Sequence, residues 1–182
     1  MSATQWTVLG LAALLVFWMV GAYNRLVELR NGIGAAWTQI DAALKMRAEV
    51  VAPLVAGLSG PLSLEQGALD AFVAAHGQAA DAAKALGARP VAVATAADWV
   101  RCETRLAAAS SRVLALLEQQ QGAATAVDAA ALAVTWRAAA GQLAFARQLF
   151  DSAAQTYNEA AQQRPTRWLL RLFGFGPAGL LG

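Results

Sequence analysis

Cysteine and histidine are nearly missing from this sequence: each occurs once, as Cys102 and His76. A single cysteine excludes an internal disulfide, and one cysteine with one histidine excludes a His/Cys zinc set within one chain. Charge is also scarce. Charged residues make up 14% of the chain against 58% apolar, the reverse of the balance that keeps a chain disordered. The 14 basic and 12 acidic side chains leave a net charge of +2, too small a surplus to hold nucleic acid. β-branched residues are sparse beyond the first helical stretch, so no strand pattern develops. Without strands there is no strand-to-helix glycine loop, and Gly174–Gly179 reads as a flexible tail and not as a phosphate cradle. What fills the sequence is alanine, the best helix former, and an all-α protein follows.

The chain is organised around Trp6–Val55. Met1–Asn24 carries no charged side chain, and its apolar core, Trp6–Ala22, spans about 17 residues, the short end of the transmembrane range. Trp6 suits one membrane interface, and Trp18 or Tyr23 the other. A cleaved signal peptide is the rival reading, since Val20-Gly21-Ala22 offers small residues for cleavage, but the segment before the apolar run has no Lys or Arg. With no turn cluster, the run then becomes amphipathic. Apolar residues fall at Ile33, Trp37, Ile40, Leu44, Val51, Leu54 and Leu58, in alternating steps of about four and three, a heptad-like seam interrupted by Arg47. Asp41 and Lys45 add an i,i+4 pair in the favourable order. Basic residues follow the anchor (Arg25, Arg30, Lys45, Arg47) and none precede it. The positive-inside rule then puts the N-terminus outside and the remainder in the cytoplasm.

Three further seams follow. Ser63–Gln66 reads as a capping box opening a second helix, with Leu69, Phe72, His76, Ala79, Ala83 and Leu86 on its apolar face, closed by Gly87 and Pro90. The third seam is Trp99, Cys102, Leu106, Ala109, Val113 and Leu116, after a start near Thr95–Asp98. The fourth runs from about Asp128 to Gln163 along Leu132, Trp136, Ala139, Leu143, Ala146, Phe150, Ala153, Tyr157 and Ala160. Its alternating large and small residues let a facing helix approach closely. Four seams with short breakers describe an antiparallel four-helix bundle whose long first helix extends from an N-terminal transmembrane segment. The expected divisions are residues 1–23 as anchor, 24–164 as bundle and 165–182 as a hydrophobic and basic tail.

The search for chemistry is mostly negative. His76 lies on an apolar seam, where a core or interface role is the simpler reading. Cys102, Ser110 and Ser111 have no base partner evident in the sequence. The carboxylates are dispersed, and no cofactor or metal is expected. Two sets of residues remain. A juxtamembrane polar set (Asn24, Arg30, Asn31, Gln39 and Asp41) is expected to pair with Arg147, Asp151 or Asn158 of the last helix, with Tyr23, Trp37 and Tyr157 in the same network. It reads as a polar network that fixes helix register or as a surface for a partner. The second set, Arg164, Arg167, Trp168, Arg171 and Phe173, has the composition of an interfacial amphipathic segment. The alternative for it is a tail packed on the bundle or on another subunit.

The words YNRLVELRN (Tyr23–Asn31), AWTQID (Ala36–Asp41) and LKMR (Leu44–Arg47), together with the late segment ARQLFDSAAQTYNEA, resemble the LemA family of bacterial membrane-anchored helical proteins. Arg147, Phe150, Tyr157 and Asn158 match the family's closing-helix motif, and Pro165 and Phe173-Gly174-Phe175 resemble its ending. The chain departs from the family pattern at Ala52 and Pro53 and at Ala140-Gly141-Gln142. The resemblance implies a membrane-tethered antiparallel bundle without established enzymatic activity and brings no catalytic residues with it.

The expected function is therefore a non-enzymatic scaffold of the bacterial inner membrane. It spans the bilayer once, has its bundle in the cytoplasm, and assembles laterally with its own copies to organise or remodel the membrane. The alternative is an adaptor that docks another membrane protein, such as a protease or a signalling component. The expected partners are the lipid bilayer and further copies of the chain, with no nucleic acid.

Overall fold

The computed structural model describes residues 3–60, 62–119, 126–167 and 173–182. Among them are four helices and no strand: α1 (Ala3–Ser59), α2 (Gln66–Ala88), α3 (Val93–Gln119) and α4 (Ala126–Gln162). α1 runs unbroken for 57 residues, about 85 Å at 1.5 Å per residue. Pro53 lies inside it, and the helix ends ahead of Gly60. α1 packs along α4, and α2 along α3. The directions are antiparallel. Leu26 in the first half of α1 and Ala160 near the end of α4 line one cleft, while Gly57 at the end of α1 meets Leu132 near the start of α4.

Every side chain described from Thr4 to Trp18 is exposed. Among the described residues, α1 is the helix long and apolar enough to cross a membrane. From Leu26 onward α1 becomes one wall of the bundle.

The core has two contiguous parts. The part nearer the apolar span holds Leu26, Ile33, Ile40, Leu86, Trp99, Leu143, Phe150, Tyr157 and Leu181. The distal part holds Leu54, Leu58, Phe72, Leu106, Val113 and Trp136. Each fully buried Ile, Leu or Phe contributes roughly 1.5–3 kcal/mol relative to exposure. Trp37 meets Trp99 and Phe150 edge-on, with ring centroids 6.4 Å apart in both cases. Gly87 makes this layer possible, because a Cβ there would lie 2.9 Å from Trp37 Nε1.

The seams deviate from expectation in phase. α1 buries Ala43 and Arg47 where Leu44 was expected, leaving Leu44 half-buried. α3 buries Glu103, Ser110 and Leu117, not Cys102, Ala109 and Leu116, which are half-buried beside them. A heptad seam of fixed period drifts around a straight 3.6-residue helix, so neighbouring positions exchange roles along its length. The capping box at Ser63 does not form. α2 starts at Gln66 behind Glu65, which makes no side-chain cap, and Ser63 belongs to the preceding turn. α3 starts two residues before Thr95, whose hydroxyl donates back to the Ala92 carbonyl at 3.0 Å.

Candidate functional site

Two buried polar arrangements lie outside ordinary helix packing. The first spans the middle of the bundle. Arg47 donates to both carboxylate oxygens of Glu103, Nη1 to Oε2 and Nη2 to Oε1, each at 2.7 Å. Arg47 is 4% exposed and Glu103 7%. The guanidinium also lies 5.7 Å from the ring centroid of Trp136, an attractive placement over an aromatic face. A second arginine, Arg147, holds its guanidinium over Trp99 at 4.6 Å and feels the charge of Glu103 and Asp151. Burial depresses the Arg147 pKa, with Glu103 and Asp151 opposing the shift. His76 borders the same charges. Burial lowers its pKa first, the Arg47 charge lowers it further, and Glu103 partly restores it. His76 and Arg47 line a cleft of about 450 Å³ with Trp37, Asp41, Lys45 and Lys84.

The second arrangement holds the C-terminal segment, residues 173–182, against the bundle. Asn158 pairs with Ala178 in both directions: Nδ2 donates to the Ala178 carbonyl at 3.0 Å, and Oδ1 accepts from its N–H at 2.8 Å. The Tyr157 hydroxyl donates to the Gly176 carbonyl at 2.9 Å. The N–H of Leu181 donates to Asp151 Oδ1 at 2.7 Å, and that of Gly179 to the Val91 carbonyl at 3.3 Å. Burial raises the Asp151 pKa, opposed by backbone bonds from Leu181 and Gly182 and by the Arg147 charge. Leu181 is fully buried. Gly179 passes so close to α3 that a Cβ would lie 2.6 Å from Ala96 Cβ and 3.0 Å from Val93 Cα. Tyr23 packs against Phe173 and Phe175, and the Arg30 guanidinium sits over the Phe175 ring at 6.0 Å.

The residues singled out from the sequence therefore divide. Tyr23, Arg30, Tyr157 and Asn158 meet at the C-terminal segment, and Trp37 and Arg147 flank Trp99. Asp41 pairs with Lys45 at the surface, at 2.6 Å. Asn24, Asn31 and Gln39 are exposed. The expected pairing of this α1 set with Arg147, Asp151 and Asn158 is not what forms. Asp151 and Asn158 turn to Leu181 and Ala178 instead, because the returning backbone supplies N–H and carbonyl groups that must be satisfied, and Arg147 turns to the ring of Trp99. Of the expected surface tail, Arg164, Arg167 and Phe173 are exposed, while Trp168 and Arg171 lie outside the described residues. Phe173–Gly182 packs on the bundle, one of the two alternatives left open for the tail.

The Arg47–Glu103 pair was missed, although a signal existed. A charged residue stands on the apolar stripe of two different helices, with opposite signs. No group of three or more His, Cys, Asp and Glu able to hold a metal occurs among the described residues.

The LemA family model matches residues 36–181. The chain belongs to the LemA family. The matched span takes in the rod beyond Ala35, α2, α3, α4 and the docked C-terminal segment through Leu181, so both polar arrangements lie within the LemA unit. The apolar span and the words Tyr23–Asn31 precede it. No curated protein matches the chain.

Proposed function

We propose that this LemA-family protein is a non-enzymatic, membrane-anchored scaffold of the bacterial inner membrane whose copies associate side by side. One observation carries the reading. A shallow apolar groove of about 550 Å³ runs between α1 and α4, lined by Ala42, Met46, Ala138, Gly141, Phe145 and Leu149 with only Gln39 and Gln142 as polar members. Phe145 is 63% exposed, and Met46 and Leu149 are exposed beside it. Large apolar side chains clustered along a groove, with no charge among its lining residues, mark an interaction surface and not ordinary exposure.

The occupant is a second copy. Chains anchored in one bilayer share their orientation, so a face running along the rod meets the same face of a neighbour at the same height. A two-fold axis along the membrane normal then makes the contact self-complementary. Tethering raises the local concentration and lets a modest patch suffice. The N-terminus lies outside and the bundle in the cytoplasm, on the side of Arg25, Arg30, Lys45 and Arg47. The buried ion pair and the clamped C-terminus are structural in this reading. Arg47 and Glu103 are committed to each other, and Asp151, Tyr157 and Asn158 to the backbone of the C-terminal segment.

Light scattering or mass photometry of the full chain in mild detergent tests the proposal. Oligomers are expected, and Phe145→Glu should shift them to monomer with unchanged far-UV dichroism. A strictly monomeric wild type overturns it. Crosslinking in membranes that recovers a single heterologous protein at Phe145, and no self-crosslink, replaces it with the adaptor reading. Proteolysis in inverted and right-side-out vesicles tests the orientation.

A further inference from the structure

We infer that the cleft where the anchor meets the end of α4 is a binding site for the phosphate of an anionic phospholipid headgroup. The cleft has a volume of about 390 Å³. It is lined by Trp18, Gly21, Ala22, Arg25 and Leu26 of α1 and by Ala160, Gln163, Arg164, Pro165 and Thr166 at the end of α4. Two arginines from different elements thus face one space, and no carboxylate lines it. Neither Arg25 nor Arg164 takes part in the ion pairs formed among the described residues. Arg167 is exposed just beyond Thr166.

Depth selects the ligand. The inference rests on the proposed anchoring of α1. With Ala22 at the edge of the hydrocarbon core, Arg25 stands three residues further on, about 4.5 Å along the axis at 1.5 Å per residue. The headgroup layer is roughly 5–8 Å thick, so Arg25 lies within it, and Arg164 is held at the same cleft. Below them, Trp18, Gly21 and Ala22 form an apolar wall at acyl depth. A Cβ added at Gly21 would meet nothing within 4 Å, so the cleft is open there toward lipid.

The site therefore has a cationic upper part and an apolar lower part in the order in which a phospholipid presents phosphate and chains. The end of α4 carries the partial negative charge of any helix C-terminus. That charge is reduced here because the N–H groups of Gln163 and Arg167 cap the carbonyls of Glu159 and Gln163. A second basic cleft, with Arg30 and Arg89, stands at least eight residues past Ala22, about 12 Å along the axis, and so beyond the headgroup layer.

The test uses the full chain, extracted in mild detergent, exposed to an equimolar mixture of phosphatidylglycerol and phosphatidylcholine, and read by native mass spectrometry. Preferential retention of phosphatidylglycerol is expected. Arg25→Gln and Arg164→Gln should each reduce the enrichment about fivefold and together about 25-fold. The exposed pair Arg105→Gln/Arg112→Gln on α3 should leave it unchanged. Equal retention of the two lipids by the wild type, or undiminished enrichment in the double variant, overturns the site. Displacement of the lipid by millimolar inorganic phosphate overturns the lipid as the ligand in favour of free phosphate. Sedimentation with vesicles reports the anchor separately. A wild type that stays in the supernatant sinks the anchoring itself, whereas a membrane-bound protein without lipid preference sinks only the cleft.

Discussion

Removing Glu103 should destabilise the bundle more than removing Arg47, although the two form one pair. Both are almost fully buried, and the two 2.7 Å bonds between them satisfy both carboxylate oxygens and two guanidinium nitrogens. Breaking a buried pair by removing one partner costs about 3–5 kcal/mol, because the other charge is left uncompensated in a medium that solvates it poorly. The surroundings separate the two cases. Glu103 also sits in the field of Arg147 and His76, so Arg47→Met leaves a carboxylate that still has a cation nearby. Glu103→Gln leaves two guanidinium groups facing each other without it. The loss should lie near 3 kcal/mol for Arg47→Met and near 5 kcal/mol for Glu103→Gln. At roughly 2–4 °C per kcal/mol for a chain of this size, the Tm would fall by about 6–12 °C and about 10–20 °C. The double variant Arg47→Met/Glu103→Leu should recover most of that loss, since a well-packed apolar replacement of a buried pair is often neutral or stabilising. Thermal unfolding of the full chain in detergent, followed by far-UV dichroism, measures all three. A Glu103→Gln protein within about 1 kcal/mol of wild type, or a double variant no better than the worse single, would refute the reasoning, for then the pair is not isolated from water as its burial implies.

Three further outcomes follow from the same geometry. His76 is the sole histidine, so its imidazole proton resonance titrates alone; its pKa should lie below about 6.5, fall further in Glu103→Gln and rise in Arg47→Met. Its linkage to folding has a definite sign: well above about pH 6.5 neither state is protonated there, whereas on the way down through it the unfolded chain takes the proton first, so the His76 contribution to stability is lost as pH falls toward the depressed folded value. A His76→Gln variant should flatten that slope in a pH series of denaturation curves. At the C-terminus, Asn158→Leu removes both bonds to Ala178 and should cost about 1–3 kcal/mol, while Gly179→Val forces backbone away from Val93; each should raise amide exchange across residues 173–182 while the α1 and α4 cores stay protected.

Much of the fold was legible because alternating apolar spacing and short breakers describe helices locally. The apolar run Trp6–Ala22 was plain, since no charge interrupts it, and it forms the exposed start of α1. Trp136, Leu143, Phe150 and Tyr157 were placed in the core by spacing alone. The failures came where a choice between adjacent faces depended on the partner helix. Cys102 is the more apolar residue, yet Glu103 is the one buried, because Arg47 waits opposite it on α1. Ser63 looked like a cap, but the turn from Gly60 to Glu65 used its backbone first. Asp151 and Asn158 read as partners for the polar residues of α1, and their actual partners are backbone groups 30 and 20 residues later in the chain.

By itself the sequence determined the helical class, the four helices of the described residues and the long first helix with its apolar start, since each follows from periodicity along the chain. Only the tertiary structure decided which charges are buried together and where the last ten residues go. A buried charge survives only opposite its counter-charge, and a returning segment holds only where side chains meet its backbone polar groups. Both conditions join residues far apart in sequence, and no local pattern encodes the distance between them.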